Sequence, residues 1–397
     1  MAVRHIDLSF ESGDCEGSAL RLIYALLPEW ESSEGDVELI KFTEGITNTL
    51  LKAVKKRPGC TRSQIDQEAV LLRAYGKGTD VLIDRERETR AHSLLASRDL
   101  APPLLARFDN GLLYKYIEGD VCSPEDLRRP EVYQAVARRM GQWHSTLPIA
   151  AISDLPDMHS RSTKHTSLDG DGLEEAGRPT PNVWTVMQAW IDALPVRTEE
   201  ETKRKVMLDS ELRYLSSTLG NTPGLNGNNY IFSHCDLLSG NVIIEPSTLN
   251  KASHGRTNGD NILSVSFIDY EYATPAPAAF DIANHFAEWG GFDCDHGTLP
   301  TRSQRLDFLR HYLSSYRVHG SPTSSAPSER ELEQLVAQVD LFRGIPGFYW
   351  GIWALIQAEI SQIDFDYAAY APIRLGEYWD AKAEMNGERK RAGVRRR

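Results

Sequence analysis

Cysteine is scarce in this chain of 397 residues, and the five thiols, Cys15, Cys60, Cys122, Cys235 and Cys294, lie far apart. No CxxC pair or Cys/His cluster has zinc spacing, so reduced thiols in a cytoplasmic protein are expected. Long apolar runs are missing too. No stretch reaches the ~20 residues that cross a bilayer, which excludes stable membrane insertion by a helix. The opening residues MAVRHIDLSFESGDCEGS lack a basic start followed by an apolar run, so no secretory leader is expected. There is no basic surplus. The formal net charge of -12 argues against general nucleic-acid binding, because a phosphate backbone needs a basic surface. An acidic field instead favours a small cation. Only the end, ERKRAGVRRR, runs against that sign. A solvated, frayed tail over 387–397 is favoured there over lipid contact or a nuclear-import signal. Internal repeats are absent.

What is present is ordinary globular composition, 41% hydrophobic and 25% charged, in a chain long enough for two buried cores. DVELIKF (36–42) and TLLKAVKK (49–56) read as strands around the polar turn Gly45-Ile46-Thr47-Asn48, and 57–67 as a loop. AVLLRAYG (69–76) reads as a third strand and IDRERETRAHSLLAS (83–97) as a helix. PLLARF and LLYKYI form a hairpin across Asp109-Asn110-Gly111. The first ~120 residues thus read as five strands and one helix, with the usual uncertainty at element ends. Beyond them Ser123-Pro124-Glu125 opens a helix. A helical pattern runs through 131–147, followed by a polar loop over 151–182 and two more helices. NYIFSHCDLLSGNVIIE and LSVSFIDYEY read as strands around the polar insertion 246–261, and the remainder is helical with a break near Gly344 and Pro346. The expected fold class is α+β in two lobes: a small β-rich part over 1–118, a larger, mainly helical part over 119–386, then the basic tail.

Chemistry concentrates in a few places. His234-Cys235-Asp236-Leu237-Leu238-Ser239-Gly240-Asn241 spells HxDxxxxN between two strands. Phosphoryl transfer to a hydroxyl needs a carboxylate to take the proton and oxygen ligands for magnesium, which suits Asp236 as base and Asn241 as ligand. A solvated Asp and Asn in a loop fit that pattern alone equally well. The second motif, Asp269-Tyr270-Glu271-Tyr272, puts another carboxylate at the end of a buried strand, the place of a second metal ligand. The turn Gly45–Asn48 has one glycine. It is either a phosphate loop donating N–H groups or an ordinary hairpin. No Val-Ala-Ile-Lys strand occurs, so Arg73 is the candidate cation for phosphate oxygens, a surface ion pair being its alternative. Backbone groups from Lys115 to Ile117 are placed to meet adenine. Asp281, at the start of a helix, is a candidate for tying down the Asp236 loop. Glu288 lies two turns further along and could reach an acceptor pocket, although a helical Glu is more often solvated. Trp350 and Trp353, spaced i,i+3, share one face with Phe365 and Tyr370 beyond them. Core packing is the usual meaning of such a stripe, an aromatic wall for a cation the functional one.

HCDLLSGN, FIDYEY, FDIANHFAEW and YWGIWALIQAEIS together resemble the choline/ethanolamine kinases, which have a protein-kinase-like fold. The resemblance runs from about Lys41 to about Tyr378 and is closer to the ethanolamine kinases. It implies ATP and Mg2+ as cofactors, Asp236 as base, and Asn241 with Asp269 as metal ligands. It places Gly45, Ile46, Thr47, Asn48 and Arg73 at the phosphates. Glu288, Tyr272, Trp350, Trp353, Phe365 and Tyr370 fall on the amino-alcohol pocket. The implied reaction is formation of phosphoethanolamine, the first step of the CDP-ethanolamine route to phosphatidylethanolamine. Choline or dual specificity is the near alternative, with an aminoglycoside-type phosphotransferase or a non-catalytic scaffold more remote. A homodimer is compatible with it. Two departures stand out. Cys235 replaces the family's usual Asn, and Thr274-Pro275-Ala276-Pro277-Ala278 replaces a run rich in Tyr and Asn.

Overall fold

The computed structural model describes residues 3–42, 48–76, 78–153, 178–246, 263–320, 326–361 and 363–387. The expected phosphate-turn residues Gly45, Ile46 and Thr47, most of the two polar loops and the basic tail lie outside them.

Alternation with period two builds the first layer. Strands β1 (His5–Ile6), β2 (Asp36–Phe42), β3 (Thr49–Lys56), β4 (Val70–Ala74), β5 (Leu104–Phe108) and β6 (Gly111–Lys115) form one sheet in the order β1-β5-β6-β4-β3-β2. Only the β1–β5 pair is parallel. One face carries Leu51, Ala53, Val70, Leu72 and Leu113 into a core closed by helix α1 (Cys15–Leu26), whose Ala19, Leu22, Ile23 and Leu26 recur at helical spacing. The other face turns Leu50, Leu71 and Tyr114 toward a cavity. A one-residue slip would exchange the two sets, so burial pins the register.

Here the structure corrects the sequence reading. Five strands and one helix were expected, but the sheet has six strands, and α1, the short α2 (Glu29–Ser32) and α3 (Arg62–Glu68) join α4 (Arg85–Ser97). The supposed loop over 57–67 contains α3, which starts with a capping box: Thr61 accepts from the Gln64 N–H, and the Gln64 side chain accepts from the Thr61 N–H. A second helix start also differs. Ser123 and Asp126 cap each other around a single tight turn, and α5 (Pro130–Thr146) begins later with Pro130 in its first turn.

The larger layer is helical: α5, α6 (Val183–Ala193), α7 (Glu199–Leu219), α8 (Ala278–Ala287), α9 (Arg302–Gly320), α10 (Glu329–Leu341), α11 (Ile345–Ile360) and α12 (Tyr367–Met385). Among the described residues no helix is long and apolar enough to cross a membrane. Short strands β7 (Asp120–Val121), β8 (Ile231–Ser233), β9 (Val242–Ile244), β10 (Val265–Phe267) and β11 (Thr274–Ala276) are embedded in it. β9 lies between β10 and β7, while β8 pairs with β11, so the Thr274–Ala276 departure forms a strand under the Asp236 loop. Its buried core includes Leu82, Ile83, Ala91 and Leu95, so α4 packs with the helical part although it precedes β5 and β6 in the chain.

Helices α5 and α9 approach closely because a glycine faces the partner backbone. A Cβ on Gly141 of α5 would lie 2.4 Å from the Tyr312 carbonyl oxygen and 3.0 Å from the Tyr316 nitrogen of α9. Gly141→Ala therefore forces the helices apart and should destabilise the fold by about 1–3 kcal/mol, read as a lower urea midpoint in equilibrium unfolding.

Candidate active site

Beyond β8 the chain enters a loop whose backbone is fastened on both sides of Asp236. The two Asp281 oxygens accept from the N–H groups of His234 (3.0 Å) and Cys235 (2.8 Å). Asn284 donates to the Cys235 carbonyl at 2.8 Å, and His285 donates to the Leu237 carbonyl at 2.8 Å. Behind Asp281 stands His144, with Nε2 at 2.9 Å and Nδ1 2.8 Å from the Tyr312 hydroxyl. Burial alone would raise the Asp281 carboxyl. The hydrogen bond and field of His144, with the loop N–H groups, outweigh it and hold the group below the usual carboxylate range. Asp281 thus does what its position in the sequence suggested. Cys235 has φ +65°, a left-handed conformation in which Asn is more at ease than most side chains. Its thiol is fully buried, and burial pushes its pKa far up, which leaves it inert.

His234 serves the loop as a neutral ring. Its Nδ1 accepts from the Asp236 N–H at 3.3 Å, so Nε2–H donates to the Ile268 carbonyl at 3.0 Å. The ring stacks on Trp143, and burial pushes its pKa down to about 4.

Asp236, Asn241 and Asp269 converge on one cavity of about 280 Å³. Asn241 Nδ2 donates to the Asp236 carbonyl (2.7 Å) and to Asp236 Oδ2 (3.1 Å), which leaves its amide oxygen for another partner. Asp269, at φ +64°, has a buried Oδ1 with the Arg73 guanidinium 2.7 Å away but no aligned hydrogen bond. Burial raises the Asp236 carboxyl well above its ordinary value, and the nearby carboxylates of Asp269, Glu288 and Glu271 raise it further. Oxygen donors crowded so that they repel one another fit a hard divalent cation such as magnesium, which relieves the repulsion.

Arg73 joins three elements. It meets Glu88 of α4 at 3.2 Å, Asp269 at 2.7 Å, and Glu271. Arg85 adds contacts to Glu88 (3.0 Å) and Glu271 (3.1 Å) and lies over the Tyr75 ring. Asn48 donates to Glu271 at 3.2 Å, so the last residue of the expected phosphate turn reaches the same cluster. Sequence reasoning left Arg85, Glu88 and Glu271 without a role. For Glu271 the signal was available, since it stands two residues beyond Asp269.

At one end of the cavity Leu50, Leu71, Tyr116, Ile117 and Ile243 make an apolar slot. Ile117 lines it, whereas the Lys115 side chain points away to the Glu68 carbonyl. At the other end stand Tyr272, Glu288, Trp350, Trp353 and Tyr370, together with Phe292, which the sequence did not suggest. The two indoles meet edge to face, 5.4 Å between centroids. Their N–H groups donate to Asn284 (2.9 Å) and to the Tyr272 hydroxyl (2.7 Å). Glu288 pairs with the buried Arg374 at 3.1 Å. Burial raises its carboxyl, and Arg374 opposes that shift. Phe365 is absent from the wall and stands behind it, against Phe292 and Tyr370. The arrangement offers an acidic centre between an apolar slot and an aromatic, anionic pocket suited to a small organic cation.

Comparison with known proteins agrees with this layout. The choline/ethanolamine kinase family model matches residues 39–379. Ethanolamine kinase 2 of Homo sapiens is 33% identical over 386 residues, covering 97% of this chain and 86% of that protein. Ethanolamine kinase 2 of Mus musculus is 32% identical over 390 residues, with 97% and 86% covered. Among solved structures, an ethanolamine kinase of Plasmodium vivax superposes with TM-score 0.65 at 24% identity, covering 92% of this chain and 89% of that one. A choline kinase of Cryptosporidium parvum gives 0.62 at 21%, with 93% and 96% covered. These two likenesses establish a shared two-lobe fold.

Neutral buried rings make the fold acid-sensitive. His92, His234 and His285 are each pushed from 6.5 to about 4 by burial. Between those values the unfolded chain binds protons that the folded chain refuses. Stability should be full above pH 6.5 and fall as pH drops toward 4. Urea midpoints measured across that window should show the decline, and His92→Gln should flatten it.

Proposed function

The chain belongs to the choline/ethanolamine kinase family, and on that premise we propose that it phosphorylates ethanolamine with ATP. The product is phosphoethanolamine, the first intermediate of the CDP-ethanolamine route to phosphatidylethanolamine. One observation carries this proposal. A single cavity joins Asp236, Asn241 and Asp269 to a pocket walled by Tyr272, Trp350, Trp353 and Tyr370 and closed by Glu288. The curated relatives that cover nearly the whole chain, named ethanolamine kinases, support the choice of acceptor. A cytoplasmic location suits this substrate and the reduced thiols.

In this proposal residues 1–118 receive the nucleotide and residues 119–386 supply the catalytic and acceptor groups. Adenine enters the apolar slot and meets the backbone of Lys115 and Ile117. The turn Gly45-Ile46-Thr47-Asn48 covers the phosphates, with Arg73 beside them. Asn241 and Asp269 would hold magnesium, which when bound offsets the charge of the phosphate oxygens. Asp236 orients the acceptor hydroxyl for in-line attack and takes its proton as the new O–P bond forms, while the bond from the γ-phosphorus to the β–γ bridging oxygen breaks and ADP leaves. Glu288 and the two indoles hold the ammonium end, Tyr272 and Tyr370 complete the wall, and Phe365 supports it from behind. Fixing the ammonium fixes the hydroxyl relative to phosphorus, and such positioning supplies several kcal/mol of the rate enhancement.

The aromatic wall also suits a quaternary ammonium, so choline is the second acceptor to consider. A primary ammonium offers three N–H donors to Glu288 that choline lacks. In competition at equal concentration ethanolamine should be phosphorylated faster. A choline preference would reassign the acceptor.

Asp236→Asn should lower kcat by roughly 10²–10⁴ in a coupled ADP-release assay. A kcat within a few-fold of wild type would remove Asp236 as the base.

A further inference from the structure

Helix α8 presents Asp281, Asn284 and His285, and Glu288 follows at its C-cap, so the four residues fall at spacing i, i+3, i+4, i+7. The first three grip the loop around Asp236. The fourth enters the acceptor pocket, about 5 Å further along at ~1.5 Å per residue. Asn284 has a second bond that reaches the pocket wall, whereas the second partners of Asp281 and His285, namely His144 and Trp289, do not line the cavity. Fully buried, it donates through Nδ2 to the Cys235 carbonyl (2.8 Å) and accepts through Oδ1 from the Trp350 indole N–H (2.9 Å). A carboxamide can do both at once, whereas an ionised carboxylate only accepts. The residue before Asp236 and the wall of the ammonium pocket are thereby held by one side chain.

We propose that Asn284 is a positioning residue that sets the span between Asp236 and the Trp350 wall, and so selects the acceptor by its chain length. The proposal rests on the amino-alcohol reading above. An acceptor whose ammonium lies against Trp350 reaches Asp236 with its hydroxyl only if its carbon chain matches that span. Without Asn284 the indole and the loop keep their other contacts but lose the bond that registers one against the other. The two buried groups freed at Cys235 and Trp350 then seek new partners, which moves the wall relative to the base.

The test compares ethanolamine with 3-aminopropan-1-ol in the full chain, with kcat and KM measured separately for each acceptor and ATP binding followed alongside. Wild type should favour ethanolamine by roughly 10–200-fold in kcat/KM, the usual discrimination for one methylene. Asn284→Ala should narrow that ratio to about threefold through a loss of kcat with ethanolamine, while ATP affinity holds, as expected when an orienting contact is lost. Asn284→Asp keeps an acceptor for the indole but no donor for the Cys235 carbonyl, and it should narrow the ratio too. A ratio unchanged in a variant that still binds ATP would overturn the assignment, even if both rates fall. Equal use of the two acceptors by wild type would overturn it without any variant. Failure of wild type to phosphorylate any amino alcohol would instead overturn the proposed function on which it rests.

Discussion

Carboxylates crowded into one recessed cleft are the constraint around which this molecule is arranged. Asp236, Asp269, Glu271, Glu288 and Glu88 approach one another, and among the described residues the guanidinium groups paired within this set are those of Arg73, Arg85 and Arg374. Buried like charges are costly unless paired, so each acid is held by donors contributed from a different element. Arg73 is the clearest case. It rises from the sheet, meets Glu88 on α4, and reaches Asp269 and Glu271 beyond β10. One guanidinium therefore ties together the sheet, the helix between the lobes and the acidic centre. Among the described residues no guanidinium pairs with Asp236, and burial with the neighbouring carboxylates raises its carboxyl.

The helical part meets a second demand, that of holding an irregular loop still. A loop carrying left-handed residues and exposed backbone groups is mobile unless those groups are satisfied. Asp281, Asn284 and His285 satisfy them from one face of α8, and His144 and Tyr312 brace Asp281 from α5 and α9. The close contact of α5 with α9 at Gly141 thus bears on catalysis as well as stability, because Asp281 is braced across that pair. His234 and His285 in this frame are buried and neutral, which is why rigidity here comes with sensitivity to acid.

The acceptor pocket follows the same logic with aromatic groups. A buried indole N–H usually needs an acceptor, and for Trp350 and Trp353 Asn284 and Tyr272 provide it. Satisfying those donors fixes the rings and leaves their edges and faces to a cation. The stripe Trp350–Trp353 is core and wall together, so neither meaning offered by its spacing excludes the other.

Much of this was legible in the residues. HxDxxxxN and the later Asp pointed to phosphoryl transfer only in combination, because two acidic strand ends in that order seldom arise by chance. The short apolar runs of β3, β4 and β6, bounded by polar turns, announced a sheet, since strand length and turn residues are local signals. Helix α3 was also legible, through its capping box, but a short polar helix carries little apolar periodicity and was overlooked. Local order of this kind is written in neighbouring residues. The partners of Asp269, the meeting of Arg73 with Glu88, the retreat of Phe365 behind the wall and the bridging of Cys235 to Trp350 by Asn284 were not. Those contacts join residues far apart in the chain, and only the packing of α4, α8 and α11 against the loop brings them within hydrogen-bonding distance. The sequence by itself determined which chemistry the chain can perform. The tertiary structure decided which charges face each other and how far the base lies from the wall, because distance and dielectric exist only once the elements are packed.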